Sequence, residues 1–324
     1  GKGGGKGGQG GKGKGGKGGK GGGGQQQPPQ DQKDQNPVKK QIADANESQK
    51  QAENELDKDQ KDEASDKASD AIKKLEEAKK KLEELLKQLR EEEIERLLTA
   101  LINRCQKMLR LQIQVRDGTV DRFNIQQKRP DKKLTRADQQ EVAQLAIIED
   151  AIVKEADAAL SLIEAEGTAV AFAEVFKQVR SDMVSVSDRL RAQDVAKLTQ
   201  TIENQIIDTL KEMIKALEKA KKDNKSGKPK PGKPGQQGQP GDQKLIDILA
   251  ELKMIRSMQV RLNTRTKVYG EFYPSLEQAP EPNQFKDKKK QAEMKMVWKE
   301  LIKLSDRQDN IARITRDIAT GKNQ

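Results

Sequence analysis

Residues 172–190 read FAEVFKQVRSDMVSVSDRL, and within them Phe172, Phe176, Val179, Met183, Val186 and Leu190 recur at alternating steps of four and three. An α-helix turns once every ~3.6 residues, so these steps stack the apolar side chains into one stripe, roughly 28 Å long at ~1.5 Å per residue. Such a stripe predicts a helix that packs against other helices, as in a bundle or coiled coil.

The same reading extends in both directions. On the N-terminal side, Ile72, Leu75, Leu82, Leu86 and Leu89 form a seam that resumes, shifted by one residue, at Ile94, Leu98, Leu101, Cys105, Met108 and Val115. This predicts one long helix that stops at the turn signal Asp117-Gly118, with Pro130 in the loop that follows. Thr135-Arg136-Ala137-Asp138 resembles a capping box and opens a helix through Val142, Leu145, Ile148, Ile152, Ala159 and Ile163, with Gly167 as its stop. On the C-terminal side, Asp194 is the expected cap for a helix through Leu198, Ile202, Ile206, Leu210, Met213 and Leu217. Two more stripes follow, Leu245, Ile248, Leu252, Ile255, Met258 and Leu262, then Met294, Val297, Leu301, Leu304, Ile311 and Ile318. Between them lies a loop with Tyr269, Phe272 and Tyr273, expected to pack over this hairpin near Trp298.

Composition agrees with long helices around a thin core: 32% of the 324 residues are hydrophobic, 2% aromatic and 35% charged. The expected architecture is all-α, an elongated antiparallel helical bundle or coiled coil. Residues 1–37 are a Lys/Gly/Gln tail without an apolar side chain, expected to be disordered. Residues 38–70 are helix-prone but almost wholly polar, a marginal helix. Residues 71–222 form the antiparallel bundle, 223–243 a Pro/Gly/Lys linker, and 244–320 a helical hairpin. Two helices bury too little alone, so the hairpin is expected to dock on the bundle or on a second chain. No apolar run is long enough to span a membrane, and Gly1 opens the chain with no apolar signal segment.

The chain has no histidine and one cysteine. That removes Ser-His-Asp and Cys-His nucleophiles, histidine acid–base catalysis, and zinc or iron–sulfur sites built on His or several Cys. Cys105 falls on a seam and reads as a small buried hydrophobe. Gly11-x-Gly13-x-x-Gly16 has the dinucleotide-binding spacing but lies in a glycine/lysine run rather than between a strand and a helix, and Gly227-Lys228 is followed by Pro229, so it is no phosphate loop. The acidic groups Glu91, Glu92, Glu93 and Glu95, and Glu149, Asp150, Glu155 and Asp157, alternate with Lys and Arg and read as solvated helix faces. No catalytic residue, metal site or cofactor is expected.

The net charge of +11 is concentrated, with Lys2, Lys6, Lys12, Lys14, Lys17 and Lys20 in the first 24 residues. These six lysines could contact a polyanion such as nucleic acid or an anionic envelope polymer, with a salt slope near about −5 if all engage duplex phosphates. A solubilising spacer or a tether to anionic lipid uses the same charges.

The strings Arg136-Ala-Asp-Gln-Gln, Glu155-Ala-Asp-Ala-Ala-Leu160, Glu166-Gly-Thr-Ala-Val-Ala-Phe172 and Val179-Arg-Ser-Asp-Met183 resemble a group of uncharacterised helical proteins from planctomycete-type bacteria, over roughly residues 90–222. The resemblance implies a mainly helical protein, commonly exported through an N-terminal signal, and carries no known activity. The expected function is structural: scaffolding through helix–helix association, with itself or another helical protein as partner. The alternative is polyanion binding through the tail.

Overall fold

A computed structural model describes residues 37–226, 245–271 and 280–321, and among them the chain is all-α with no strand. The helices are α1 (Pro37–Asp57), α2 (Lys61–Lys128), α3 (Arg136–Glu166), α4 (Val170–Arg191), α5 (Lys197–Lys225), α6 (Ile248–Glu271) and α7 (Lys288–Thr320). The six tail lysines, nearly all of the linker, Phe272 and Tyr273 lie outside the described residues. The chain divides into two compact units, residues 1–82 and 83–324.

In the first unit, the polar stretch 38–70 is two helices rather than one. α1 closes at Asp57, Asp59 adopts a left-handed φ of 61°, and α2 starts at Lys61. Aspartate tolerates that conformation better than most residues, so a chain without Gly or Pro here can still reverse. The two helices run antiparallel: Gln41 Nε2 donates to Glu77 at 3.2 Å and Lys74 Nζ to the Ser48 hydroxyl at 2.8 Å. Between them are buried Val38, Ala45 and Ala52 from α1 and Ala64, Ala71 and Ala78 from α2, each set spaced by sevens. A seven-residue spacing keeps one narrow edge of each helix toward the other.

In the second unit, α2, α3, α4 and α5 pack antiparallel in chain order. Cross-links mark three of the pairings: Arg104 to Glu155 and Arg90 to Glu166 between α2 and α3, Asp150 to Ser187 between α3 and α4, and Lys221 to Thr99 between α5 and α2. The seam from Ile94 through Leu98, Leu101, Cys105 and Met108 to Val115 is buried, as is the whole Phe172–Leu190 stripe. α4 is the central helix, packing against α3, α5, α6 and α7.

α2 does not stop at Gly118; it continues to Lys128. A Cβ at position 118 would lie 2.7 Å from Leu145 Cδ2, so glycine here lets α3 approach α2 rather than ending the helix. Gly118→Val should therefore destabilise the fold by about 1–3 kcal/mol in urea unfolding, despite replacing a helix-breaking residue.

The local capping signals hold. Thr135 accepts from the Asp138 N–H while the Asp138 carboxylate accepts from the Thr135 N–H, and Gly167 closes α3 at φ 82°. Asp194, expected to cap α5, sits two residues before the actual N-cap, Ala196, and accepts the Ala196 N–H at 3.0 Å while pairing with Arg189.

The C-terminal hairpin docks on the bundle with most of the expected stripe inward, Leu245, Ile255 and Met258 being buried and Leu262 packed against the core, but the first turns of α6 depart from it. Ile248 and Leu252 are exposed, whereas Glu251, Met254, Ile255 and Met258 are buried. α4 has no side-chain cap of its own, and Glu251 supplies one by accepting the Ala171 N–H at 3.1 Å. A carboxylate at a helix N-terminus is favoured by both the free N–H groups and the helix dipole. Leu245 N–H donates to the Thr168 hydroxyl beside it, and Leu245 and Ile246 are fully buried.

Candidate functional site: helix faces and buried carboxylates

The apolar seam splits where the two units meet in sequence. Ile72, Leu75 and Leu82 in the first unit are exposed, and so are Leu85, Leu86 and Leu89 on the second-unit part of α2. All but Leu85 are expected to be core, yet they face solvent; within the first unit, α1 covers the alanine edge of α2 and not the leucine edge. On α1, Ile42 and Leu56 are also exposed. Each lies one position beyond the buried edge, on the side of the hairpin that carries Leu75 and Leu82. The hairpin thus has a dry interior of small residues and an uncovered outer face of large ones.

The carboxylates depart from the sequence reading more sharply. Glu149, read as part of a solvated face, is fully buried, as are Glu203 and Glu251, and Asp182 is nearly so. Its neighbours in sequence keep to the surface in ion pairs: Asp150 with Arg191, Glu155 with Arg104 and Lys107, Asp157 with Arg180. Glu91, Glu92, Glu93 and Glu95 remain on the solvent side of α2.

Glu149 Oε2 accepts from buried Gln112 Nε2 at 3.0 Å, and Glu203 Oε1 accepts from the buried Thr119 hydroxyl at 2.7 Å. The other oxygens, Glu149 Oε1 and Glu203 Oε2, have no hydrogen-bond partner. Burial, helped by the nearby Glu203 and Asp150 charges, pushes the Glu149 carboxyl well above its usual range. Burial pushes Glu203 up to about 8, although the Thr119 hydrogen bond opposes it. Glu203 is therefore mostly protonated at pH 7, and Glu149 is shifted the same way, both held between α2, α3 and α5.

Asp182 has the opposite environment. Burial alone would raise its pKa, but Arg265 donates to both its oxygens at 2.6 and 2.9 Å and Arg307 to one at 2.6 Å, holding the carboxyl below the ordinary carboxylate range. This cluster joins α4 to α6 and α7 beside a cavity of about 20 Å³, room for one water molecule. Ser185 donates to buried Glu300 on the same interface. Tyr269 is buried, and Trp298 Nε1 donates to the Pro280 carbonyl at 2.9 Å.

Cys105 sits in the core as expected, and burial pushes its thiol up to about 12. Thiol reagents should leave native protein unmodified at pH 8 and label one thiol per chain only after denaturation, as titration with a chromogenic disulfide would show. Among the described residues there is no group of three side chains suited to hold a metal ion, and no helix is long and apolar enough to cross a membrane.

Nothing in the sequence distinguishes Glu149 or Glu203 from the surface glutamates around them. The one local hint is that each shares its helix face with apolar seam positions, Ile152 beside Glu149 and Ile206 beside Glu203, three residues on. Comparison with protein-family models, with curated protein sequences and with solved structures finds no match to this chain.

Proposed function

We propose that this chain is a structural, non-catalytic protein that works by helix–helix association. The observations that support this reading are two sets of residues that keep helical spacing on α2 yet face solvent, Ile72, Leu75 and Leu82 in the first unit and Leu86 and Leu89 in the second. Exposed apolar patches mark interaction surfaces. The buried acids fit the same reading: Glu149 and Glu203 are closed off from solvent, and Asp182 is taken up in ion pairs with Arg265 and Arg307.

A photo-cross-linking amino acid placed at Leu89 in cells that make the protein tests it. A covalent adduct with a protein, whether this chain or another, is expected. Adducts confined to non-protein material, or none at all, would overturn the reading.

The second reading, polyanion binding, rests on the six lysines of residues 1–24. Removing residues 1–37 should then abolish binding to duplex nucleic acid or an anionic polymer across a salt series. Unchanged binding would remove the tail from consideration.

A further inference from the structure

We infer that the open face of the α1–α2 hairpin, formed by Ile42, Leu56, Ile72, Leu75 and Leu82, binds a second copy of the same hairpin, giving a four-helix interface between two chains. The inference rests on the association reading above and names the partner.

The interior of the hairpin is made of alanines, Val38 and Ser48, so it buries little apolar surface where the two helices meet. Paired helices with so thin an interior seldom hold together unaided, and this one has its large aliphatic side chains outside. Those five are exposed by 40% or more. Together they leave roughly 450 Å² of apolar surface open per copy, and two copies supply about the apolar share, ~57%, of a standard-size interface of ~1,600 Å².

No other part of the chain outside the described residues 37–226, 245–271 and 280–321 suits this face well. Residues 1–36 and 227–244 contain no aliphatic or aromatic side chain at all, and only the short segment 272–279 has any.

The face also matches itself. The hydrogen bond from Gln41 to Glu77 sets the register at this end of the hairpin, which levels Ile42 with residue 76, next to Leu75 on the neighbouring helix. A two-fold axis parallel to the helices lays α1 of one copy over α2 of the other at that height. Ile42 then meets Leu75 of the second chain, and Leu75 meets its Ile42, as an isologous contact requires. Each helix in the resulting set of four has antiparallel neighbours, the arrangement that short loops favour in helix bundles.

Sedimentation of the full chain between about 1 and 100 μM tests this. The wild type should sediment as a dimer in the upper part of that range, and Leu75→Glu/Leu82→Glu as a monomer with unchanged far-UV circular dichroism in the second unit's melting transition. A wild-type chain that stays monomeric at 100 μM overturns the inference, as does a dimer that survives the double substitution.

A second measurement covers the case in which that variant disturbs the hairpin itself. An Ile42→Cys chain mixed with a Leu75→Cys chain and oxidised should give a disulfide-linked dimer containing one of each. Absence of that species overturns the pairing. A monomer that still forms a protein adduct from Leu89 overturns the second copy while leaving the association reading intact; a monomer with no adduct removes both.

Discussion

Glu203→Gln is expected to stabilise the protein by about 3–5 kcal/mol at pH 8 and to leave it nearly unchanged at pH 5. The carboxyl has an ordinary value of 4.5 and a folded value of about 8, raised by burial. Between those values the folded chain binds more protons than the unfolded chain, so stability falls as pH rises. The contribution of Glu203 is fully present below about pH 4.5, declines through the window from 4.5 to 8, and is flat above it. At ~1.36 kcal/mol per pH unit the whole window is worth several kcal/mol. Gln keeps the oxygen that accepts from Thr119 and cannot ionise, so the pH dependence of the variant should flatten. Urea unfolding at pH 5, 6.5 and 8 measures this, and a wild type as stable at pH 8 as at pH 5 would show that Glu203 is hydrated in solution. Glu149 acts in the same direction, for the same reason, and adds to the wild-type slope.

Asp182→Ala is expected to cost about 3–5 kcal/mol and to lower the melting temperature by roughly 6–20 °C. The carboxylate stands between buried Arg265 and partly buried Arg307, and its loss leaves two guanidinium groups short of their counter-charge within the interface. Because this cluster ties α6 and α7 to α4, the hairpin should become the first site of limited proteolysis. Replacing all three charges at once, Asp182→Leu with Arg265→Met and Arg307→Met, should recover most of the loss, since a buried ion pair is worth little against well-packed apolar side chains. A triple variant no more stable than Asp182→Ala would mean that the interface depends on the hydrogen bonds themselves. Circular dichroism melts of the three proteins distinguish these outcomes.

The two predictions concern residues on opposite sides of what sequence alone can tell. Asp182 lies inside the stretch whose spacing establishes α4, between Val179 and Met183, so its position next to the core could be read directly. Its partners could not, because Arg265 and Arg307 are 83 and 125 residues away and nothing local to them announces the contact. Glu203 and Glu149 carry the same side chain as the glutamates in solvent around them. Whether such a group is hydrated depends on which helices close over it, and that is a property of packing.

What the sequence determined by itself was local: the stripe Phe172–Leu190, the seam Ile94–Val115, the capping box at Thr135 and the left-handed stop at Gly167, together with the chemistry closed off by the lack of histidine. Each depends on the helical period, on a few neighbouring residues, or on which side chains exist at all. Only the tertiary structure decided that Gly118 belongs inside a helix, where Leu145 needs the room of a missing Cβ. It alone decided that α6 turns Glu251 rather than Ile248 inward, to cap α4, and that the leucines from 75 to 89 face water. Periodicity identifies an apolar edge; what covers it depends on residues distant in the chain, or on another chain.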